Sequence, residues 1–521
     1  MAAAARRTAG EERWSFRMGR RTDDARWPAA GGPGGGRGGA VARPPQTGPA
    51  LSRRQLIRGA VLASAACIST TYLAGCGPAG RASPQAASAV QQIPVQLHVQ
   101  ATASSTLTAL VQGYLDEHFN ATHKGIRAVY QPWGNMPAVL AATVAGQGPW
   151  VIAGCCYDFA TVQPFLAPLG PYFTKDNINP AQWSAGQIAT YRTESGLYAV
   201  PGYTAAQAYF YRQDILDAIG QPYPAPDWTY TDAARLWSAC TTDSGGQHRY
   251  GATLSINPGD IAEGYCYLYG FGGAFMDASR TRCLLDQPAS IRGGEWAFSQ
   301  VWDKVCTSGN VDGTGLNTGI ATGEVVFCTG NGAAVLWAVE NLKGAKWDFL
   351  PFPAWPVRRA AGVNVDFYGM NAMAPNQELA WELFRFATLD PGWTRYVMRI
   401  TLQQPALVSQ WEEWEAVVRA AAPVLKTKAL RYWREAAVSG EGYGVQFFKY
   451  QPLEAISLLD SVWSQIWAQK LDVTSGFRTI AQQIDKLESV SSTTVAPTGA
   501  EIVAAAQKTR RRLGRMFAAG T

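Results

Sequence analysis

Side chains able to perform catalysis are scarce in this 521-residue chain. The sequence contains no His-Glu-x-x-His, Gly-x-Ser-x-Gly or Cys-x-x-Cys motif and no phosphate-binding loop. The chain has four histidines, and none belongs to a catalytic or metal-binding motif: His98, His118, His123 and His248. Glu412 and Glu413 are adjacent, so on a helix they point in different directions and cannot form the facing pair that cleaves a glycosidic bond. The sequence predicts a protein that is not an enzyme and that requires no cofactor or metal ion.

Tryptophan, in contrast, is abundant, with 19 residues in the chain. An indole ring can stack on the apolar face of a sugar while neighbouring carboxylates and amides bind the hydroxyls. Trp337 and Trp133 are predicted to stand at strand ends facing a cleft, and Glu340 follows Trp337 by three residues. These residues are therefore predicted to bind sugar. Three tryptophans in predicted helices are expected in the core: Trp381, Trp463 and Trp467.

The elements that must position these side chains alternate between strand and helix from Ile93 onwards. A strand over 94–100 and an apolar helical stripe from Leu107 to Leu115 enclose a polar turn over 101–106. Such a turn lies at the carboxyl end of a strand, where open α/β sheets bind ligands. Later strands are predicted at 126–131, 150–153, 250–255 and 365–373, and helices at 136–145, 231–240 and 378–388.

The stretch from Gly196 to Gly220 is the most informative part of the chain. Two strands are predicted here, joined by a stiff bend at Pro201-Gly202, and a helix then begins near Asp214 and ends at a left-handed cap on Gly220. With the Pro-x-Trp-Thr turn that follows, this stretch resembles the crossing strand of the extracellular solute-binding proteins of ABC importers.

Two further blocks carry the same resemblance, which spans about residues 93–490. One runs from Gly323 to Pro353, and the other is the Ala-Trp-Glu-Leu-Phe-Arg-Phe run over 380–386. The resemblance implies a two-lobed α/β fold of the type II periplasmic binding proteins, with a hinge between mixed sheets flanked by helices. Lobe 1 would comprise 93–202 and 364–405, and lobe 2 would comprise 203–363 and 406–490.

The resemblance also implies what such a fold would do. A monomer would bind a solute, most readily a carbohydrate, between its lobes and deliver it to permease subunits in the membrane. The implied ligand-binding residues are Trp337, Glu340, Trp133, Asp158, Tyr203, Phe271 and Tyr368.

Residues 51–76 have the pattern of an export signal. Arg53 and Arg54 precede an apolar segment of about fifteen residues, too short to span a membrane, which ends in Leu-Ala-Gly-Cys. The paired arginines resemble a twin-arginine signal, and the last four residues resemble a lipobox, which would attach lipid to Cys76. Residues 1–50 are predicted to be disordered or to result from an early start codon, and 77–92 to be a flexible tether. The protein is thus expected outside the cytoplasm, held at the membrane by lipid.

The chain has a net charge of +6, but the distribution of that charge argues against nucleic-acid binding by the folded part. Residues 1–75 contain twelve Arg and four acidic residues, a net of +8, so the remainder carries +6 − 8 = −2. A basic tail over 491–521 is predicted to be solvated. Seven cysteines follow Cys76, and outside the cytoplasm they could form up to three disulfides of unknown pairing.

The sequence leaves two other classes of protein open. A secreted glycoside hydrolase would share the tryptophan content but would need two facing carboxylates. A metal- or anion-binding receptor of the same fold could use Tyr209, Tyr211 and Arg212, which are expected instead to build the hinge.

Overall fold

A computed structural model describes residues 90–97, 105–132, 136–254, 256, 265–307, 319–438, 442–444 and 452–493. The predictions for the disordered N-terminus, the export signal, Cys76 and Trp133, and for most of the tether and basic tail, fall outside these ranges. Within them, no helix combines the length and the apolar character needed to cross a membrane.

Fifteen strands are present in the described ranges. They are β1 Gln91–Gln96, β2 Ile126–Gln131, β3 Val151–Gly154, β4 Arg192–Thr193, β5 Gly196–Leu197, β6 Ala199–Ala206, β7 Ala208–Arg212, β8 Thr242–Ser244, β9 Gln247–Thr253, β10 Cys306–Thr307, β11 Val325–Gly330, β12 Trp347–Leu350, β13 Ala361–Met370, β14 Gln404–Pro405 and β15 Gly442–Gly444.

Seventeen α-helices accompany them in the same ranges. They are α1 Ser105–Tyr114, α2 Met136–Ala145, α3 Phe159–Val162, α4 Gly170–Lys175, α5 Ala185–Ala189, α6 Gln213–Ala218, α7 Tyr230–Cys240, α8 Cys266–Gly270, α9 Pro288–Trp302, α10 Gly319–Thr322, α11 Gly332–Asn341, α12 Gln377–Leu389, α13 Pro391–Thr401, α14 Trp411–Ala421, α15 Arg431–Val438, α16 Pro452–Trp467 and α17 Val473–Thr493.

Two mixed sheets organise the described residues. The first sheet has the order β14-β6-β13-β15, with β3 also paired to β13. The parallel pair β1 and β2 joins it through the Trp150 N–H, which donates to Pro94 O at 2.8 Å. The second sheet has the order β10-β9-β11-β7-β12, with β8 paired to β9. The chain enters the second sheet after β6 and returns to the first at β13, so the two sheets are built from interleaved segments.

The crossing differs from the predicted pair of strands joined at Pro201-Gly202. β6 runs without interruption through these residues, and its register against β13 shifts there, with Phe367 opposite Pro201 and Asp366 opposite Tyr203. Proline lacks the N–H that a ladder needs, so the sheet accommodates Pro201 by a bulge rather than by ending the strand. The break falls instead at Gln207, the single residue between β6 and β7.

The helix after the crossing was predicted correctly. α6 ends two residues before Gly220, whose φ of +67° places it in the left-handed region, which glycine adopts at low energetic cost. At the start of α7, Thr229 and Asp232 form a capping box, in which each side chain pairs with the other's backbone N–H. That cap explains why the Pro-x-Trp-Thr turn precedes a helix.

The C-terminal helices α16 and α17 pack against elements of the second-sheet region. Trp463 of α16 lies 5.4 Å from Phe298 of α9 between ring centroids, and the Cys283 N–H donates to Asp485 of α17 at 2.6 Å. The core prediction is confirmed for Trp381 and Trp463, which are buried. It is wrong for Trp467, which is 38% exposed because it ends α16 on the side away from the core.

Three other predictions from the sequence differ from the structure. Gln91 and Gln92, expected in the tether, pair with Ile126 and Arg127 as the first residues of β1. α17 extends to Thr493, beyond the predicted boundary at residue 490. The seven cysteines after Cys76 are all buried in the folded part and form no disulfide with one another.

Candidate functional site

One wall of the candidate site forms where three strands of the first sheet meet. Gly154 at the end of β3 lies opposite Phe367 of β13, and the neighbouring Asp366 lies opposite Tyr203 of β6. Asp158 follows β3 in a short 3₁₀ turn. The β6 bulge occurs at this same point, so the sheet brings Asp158, Asp366 and Tyr203 to one place although they are far apart in the chain.

The carboxyl group of Asp158 has a shifted pKa. Its pKa is raised to about 6, chiefly by burial and also by the nearby charge of Asp366, while the hydrogen bond from the Cys155 N–H opposes the shift. That N–H donates to Asp158 Oδ2 at 3.3 Å, and the Asp158 N–H donates back to Cys155 O at 2.9 Å. The carboxyl group is therefore fixed in orientation, partly buried, and able to accept from a solute hydroxyl or, when protonated, to donate to one.

Two cysteines and Asp366 form a compact buried group beneath this wall. The Sγ atoms of Cys155 and Cys156 lie 3.6 Å apart, and the ligand atoms of the two cysteines and Asp366 are all within 4.8 Å of one another. Within the described ranges, this is the group whose geometry could hold a metal ion. Sequence reasoning treated both cysteines as disulfide candidates and missed Asp366, whose only signal was a carboxylate inside the apolar strand 363–370.

Trp337 and Glu340 lie on a helix rather than at the exit of a strand. The prediction that Trp337 stands at the end of a strand is wrong, because β11 ends at Gly330 and α11 begins at Gly332. A Cβ added at Gly332 would lie 2.6 Å from Gln404 of β14 and 2.9 Å from Trp414 of α14. The absence of a side chain at Gly332 therefore lets α11 pack closely against these two elements. Trp337 is partly buried and Glu340 is exposed, one turn apart on the helix.

Phe271 and Tyr368 occupy packed positions. Phe271 follows α8 and is partly buried among aromatic rings, with centroids 5.5 Å from Tyr230 and 6.2 Å from Trp296. Tyr368 lies within β13, is 2% exposed, and faces Ala153 and Val200 in the ladder. Both side chains therefore shape the interior near the site more than its surface.

The structure thus groups some of the predicted residues and separates others. Asp158 and Tyr203 share the first-sheet wall, Trp337 and Glu340 share α11, and Phe271 belongs to an aromatic cluster of the second-sheet region. The polar turn at 101–106 lies largely outside the described residues, as does Trp133.

The family model for the bacterial extracellular solute-binding protein matches residues 101–256, which include the crossing. The fold matches a substrate-binding protein of Listeria monocytogenes solved with cycloalternan, with a TM-score of 0.61 at 15% identity, covering 77% of this chain and 99% of that one. The chain therefore has the fold of extracellular solute-binding proteins, and part of its sequence matches the model of that family.

Two further proteins are similar to this chain. The maltose-bound MalE3 of T. maritima matches with a TM-score of 0.58 at 19% identity, over 76% of this chain and 99% of that one. The maltotriose-binding protein of Pyrococcus abyssi is 22% identical over 293 residues, which are 53% of this chain. The aligned part spans 59% of that relative's length. The predicted two-lobed type II fold is confirmed.

Proposed function

We propose that the protein binds a sugar or an oligosaccharide between its two lobes and delivers it to the permease of an ABC importer. The observation that carries this proposal is the sequence similarity to a maltotriose-binding protein, found in a chain whose two sheets are joined by crossing strands. Ligand contacts divided between two lobes are complete only when the lobes close. A bound solute therefore shifts the hinge equilibrium toward closure, and a permease can recognise the closed form.

We also propose a role for each predicted site residue. Asp158 and Tyr203 line the first-lobe wall, where they accept hydrogen bonds from sugar hydroxyls or donate hydrogen bonds to them. Trp337 stacks on a sugar ring, with Glu340 beside it as a hydroxyl acceptor, and Trp133 supplies a second ring. Phe271 and Tyr368 support the walls from behind.

The lobes are proposed to meet at the crossing strands rather than at residue 202. β6 remains in the first sheet through Ala206, and β13 returns to it from Ala361. The first lobe would then extend to about residue 206, and the second would lie between Gln207 and residue 360 with the C-terminal helices packed on it.

The remaining proposals concern the location and state of the protein. We propose that it is exported through a twin-arginine-like signal, is anchored by lipid on Cys76, acts outside the cytoplasm as a monomer, and is a receptor rather than an enzyme. These proposals are supported by the motifs of residues 51–76 and by the binding roles stated for its relatives.

Calorimetric titration of the mature protein with maltose, maltotriose and cyclic glucans tests the central proposal. A ligand that binds only the folded protein at a hundredfold excess over Kd should also stabilise it by about 2.7 kcal/mol. Chromatography of the recovered sugar should show no cleavage. Absence of binding to every saccharide, or reproducible turnover, would refute the proposal.

Replacing Trp337 by Ala should weaken sugar binding by about 1 to 3 kcal/mol, because an aromatic stacking surface is lost. Stability should change little, since the ring is only partly buried on α11. Trp302→Ala is the matched control: Trp302 is also partly buried, but it ends α9 and should leave affinity unchanged. If Trp337→Ala lowers the denaturant midpoint strongly and leaves Kd unaltered, Trp337 is a packing residue.

Replacing Cys76 by Ala should release the protein from membranes while leaving it folded, because the acyl chains supply the attachment. Fractionation followed by circular dichroism of the soluble protein checks both halves of this expectation. Cys67→Ala, which alters the other cysteine of the signal region, should keep the protein in the membrane fraction.

A further inference from the structure

Gln207, the residue that connects the two sheets, has its side chain in an unusual environment. Its backbone N–H donates to Gly362 O of the returning strand at 3.0 Å. Its side chain is 1% exposed, and neither its Oε1 nor its Nε2 has a hydrogen-bond partner in the described structure. A buried amide left without partners costs about 1 to 3 kcal/mol, so its retention at this position calls for a physical explanation.

A cavity borders this side chain. It has a volume of about 290 Å³, close to the lower end of the range typical of small-ligand pockets. Gln207 and Ala361 contribute to it from the two crossing segments, and Arg431, Tyr432 and Glu435 contribute from α15. An occupant of this cavity would therefore contact both crossing segments and α15 at once.

The charges around the cavity balance. Its lining includes two guanidinium groups, those of Arg359 and Arg431, and two carboxylates, those of Asp227 and Glu435. Arg431 Nε lies 3.2 Å from Glu435 Oε1, and Arg359 Nη1 donates to Phe352 O at 2.9 Å and to Pro226 O at 2.8 Å. Because the positive and negative groups are equal in number and both arginines are already engaged, the cavity favours a neutral ligand over an ion.

The remaining groups specify the kind of neutral ligand. The Gln207 amide offers one acceptor and two donors, which match hydroxyls that both donate and accept. The Tyr432 and Phe352 side chains and two prolines supply apolar surface. We propose that this cavity is a second binding site, separate from the solute cleft, for a small neutral polyol of monosaccharide size or less.

Calorimetric titration with erythritol, xylitol and glucose tests this proposal, first on the unliganded protein and then on protein saturated with maltotriose. We expect binding of at least one polyol in both cases. Displacement of the polyol by maltotriose would place it in the solute cleft and would overturn the proposal. Tighter binding of gluconate than of glucose would overturn the neutral-ligand assignment.

Two variants localise the binding. Gln207→Leu removes the amide, and Ala436→Met fills the cavity from α15; each should weaken polyol binding at least tenfold. Trp302→Ala, on α9, should leave it unchanged. Wild-type levels of polyol binding in both cavity variants, or no polyol binding by the wild type, would overturn the proposal. Titration of maltotriose alone reports the solute cleft, so failure of the proposed function is distinguishable from failure of the second site.

Discussion

Replacing Trp433 by Ala is expected to destabilise the protein by about 3 to 5 kcal/mol, the cost of deleting a large aromatic side chain from a packed core. Trp433 lies on α15, is fully buried, and has its ring centroid 4.4 Å from that of Phe349 on β12. Its indole N–H donates to Gly330 O at the end of β11 at 3.2 Å. The substitution therefore opens a cavity and leaves a buried carbonyl without this donor.

Denaturant unfolding measures the effect, which should appear as a lower midpoint with an unchanged slope. Trp467→Ala provides the matched control, because Trp467 is 38% exposed at the end of α16 and its truncation should cost far less. Equal destabilisation by the two substitutions would show that α15 is not held to the second sheet by Trp433.

Replacing Asp158 by Asn is expected to stabilise the protein by up to about 3 kcal/mol at pH 8, since two pKa units correspond to about 2.7 kcal/mol. The pKa of Asp158 is about 6 in the folded protein, raised first by burial and then by Asp366, against an ordinary value of 3.8. Between about pH 4 and 6 the folded state holds a proton that the unfolded state has lost. Stability should therefore fall as the pH rises through this window, and Asn should remove that dependence.

Unfolding of the wild type and Asp158→Asn at pH 4 and pH 8, in buffer containing a chelator, tests this expectation. Asp116→Asn is a control of opposite sign. The pKa of Asp116 is lowered to about 2, chiefly by hydrogen bonds from Arg127, with Nη2 to Oδ2 at 2.8 Å. Its stabilising contribution is present above the ordinary pKa and is lost as the pH falls, so Asp116→Asn should lower stability at pH 8. Stabilisation by Asp158→Asn that is equal at both pH values would exclude titration of Asp158 as its cause.

Asp158→Asn should have opposite effects on stability and on sugar binding if Asp158 lies in the binding site. If the carboxylate binds sugar hydroxyls, the variant that folds more stably should bind sugar less well. A group kept in a destabilising environment is characteristic of a binding or active site.

The sequence by itself determined the local elements and the family resemblance. The strand at 126–131 and the helix at 136–145 have the predicted bounds, because their apolar periodicity depends only on neighbouring residues. The left-handed residue at Gly220 was also predictable, since glycine adopts that conformation without steric cost. The resemblance, carried by the crossing stretch and two later blocks, indicated the two-lobed fold.

Tertiary structure decided what depended on partners distant in the chain. Pro201 does not end its strand, because β13 accommodates it with a bulge, and no local rule reveals that partner. The residues before Trp337 are apolar enough for either a strand or a helix. Because β11 ends its pairing at Gly330, these residues form part of α11 instead. Asp366 meets Asp158 and Tyr203 from more than a hundred residues away, and the cavity beside Gln207 is lined partly by residues equally distant. Only the pairing of strands across the crossing could reveal these contacts.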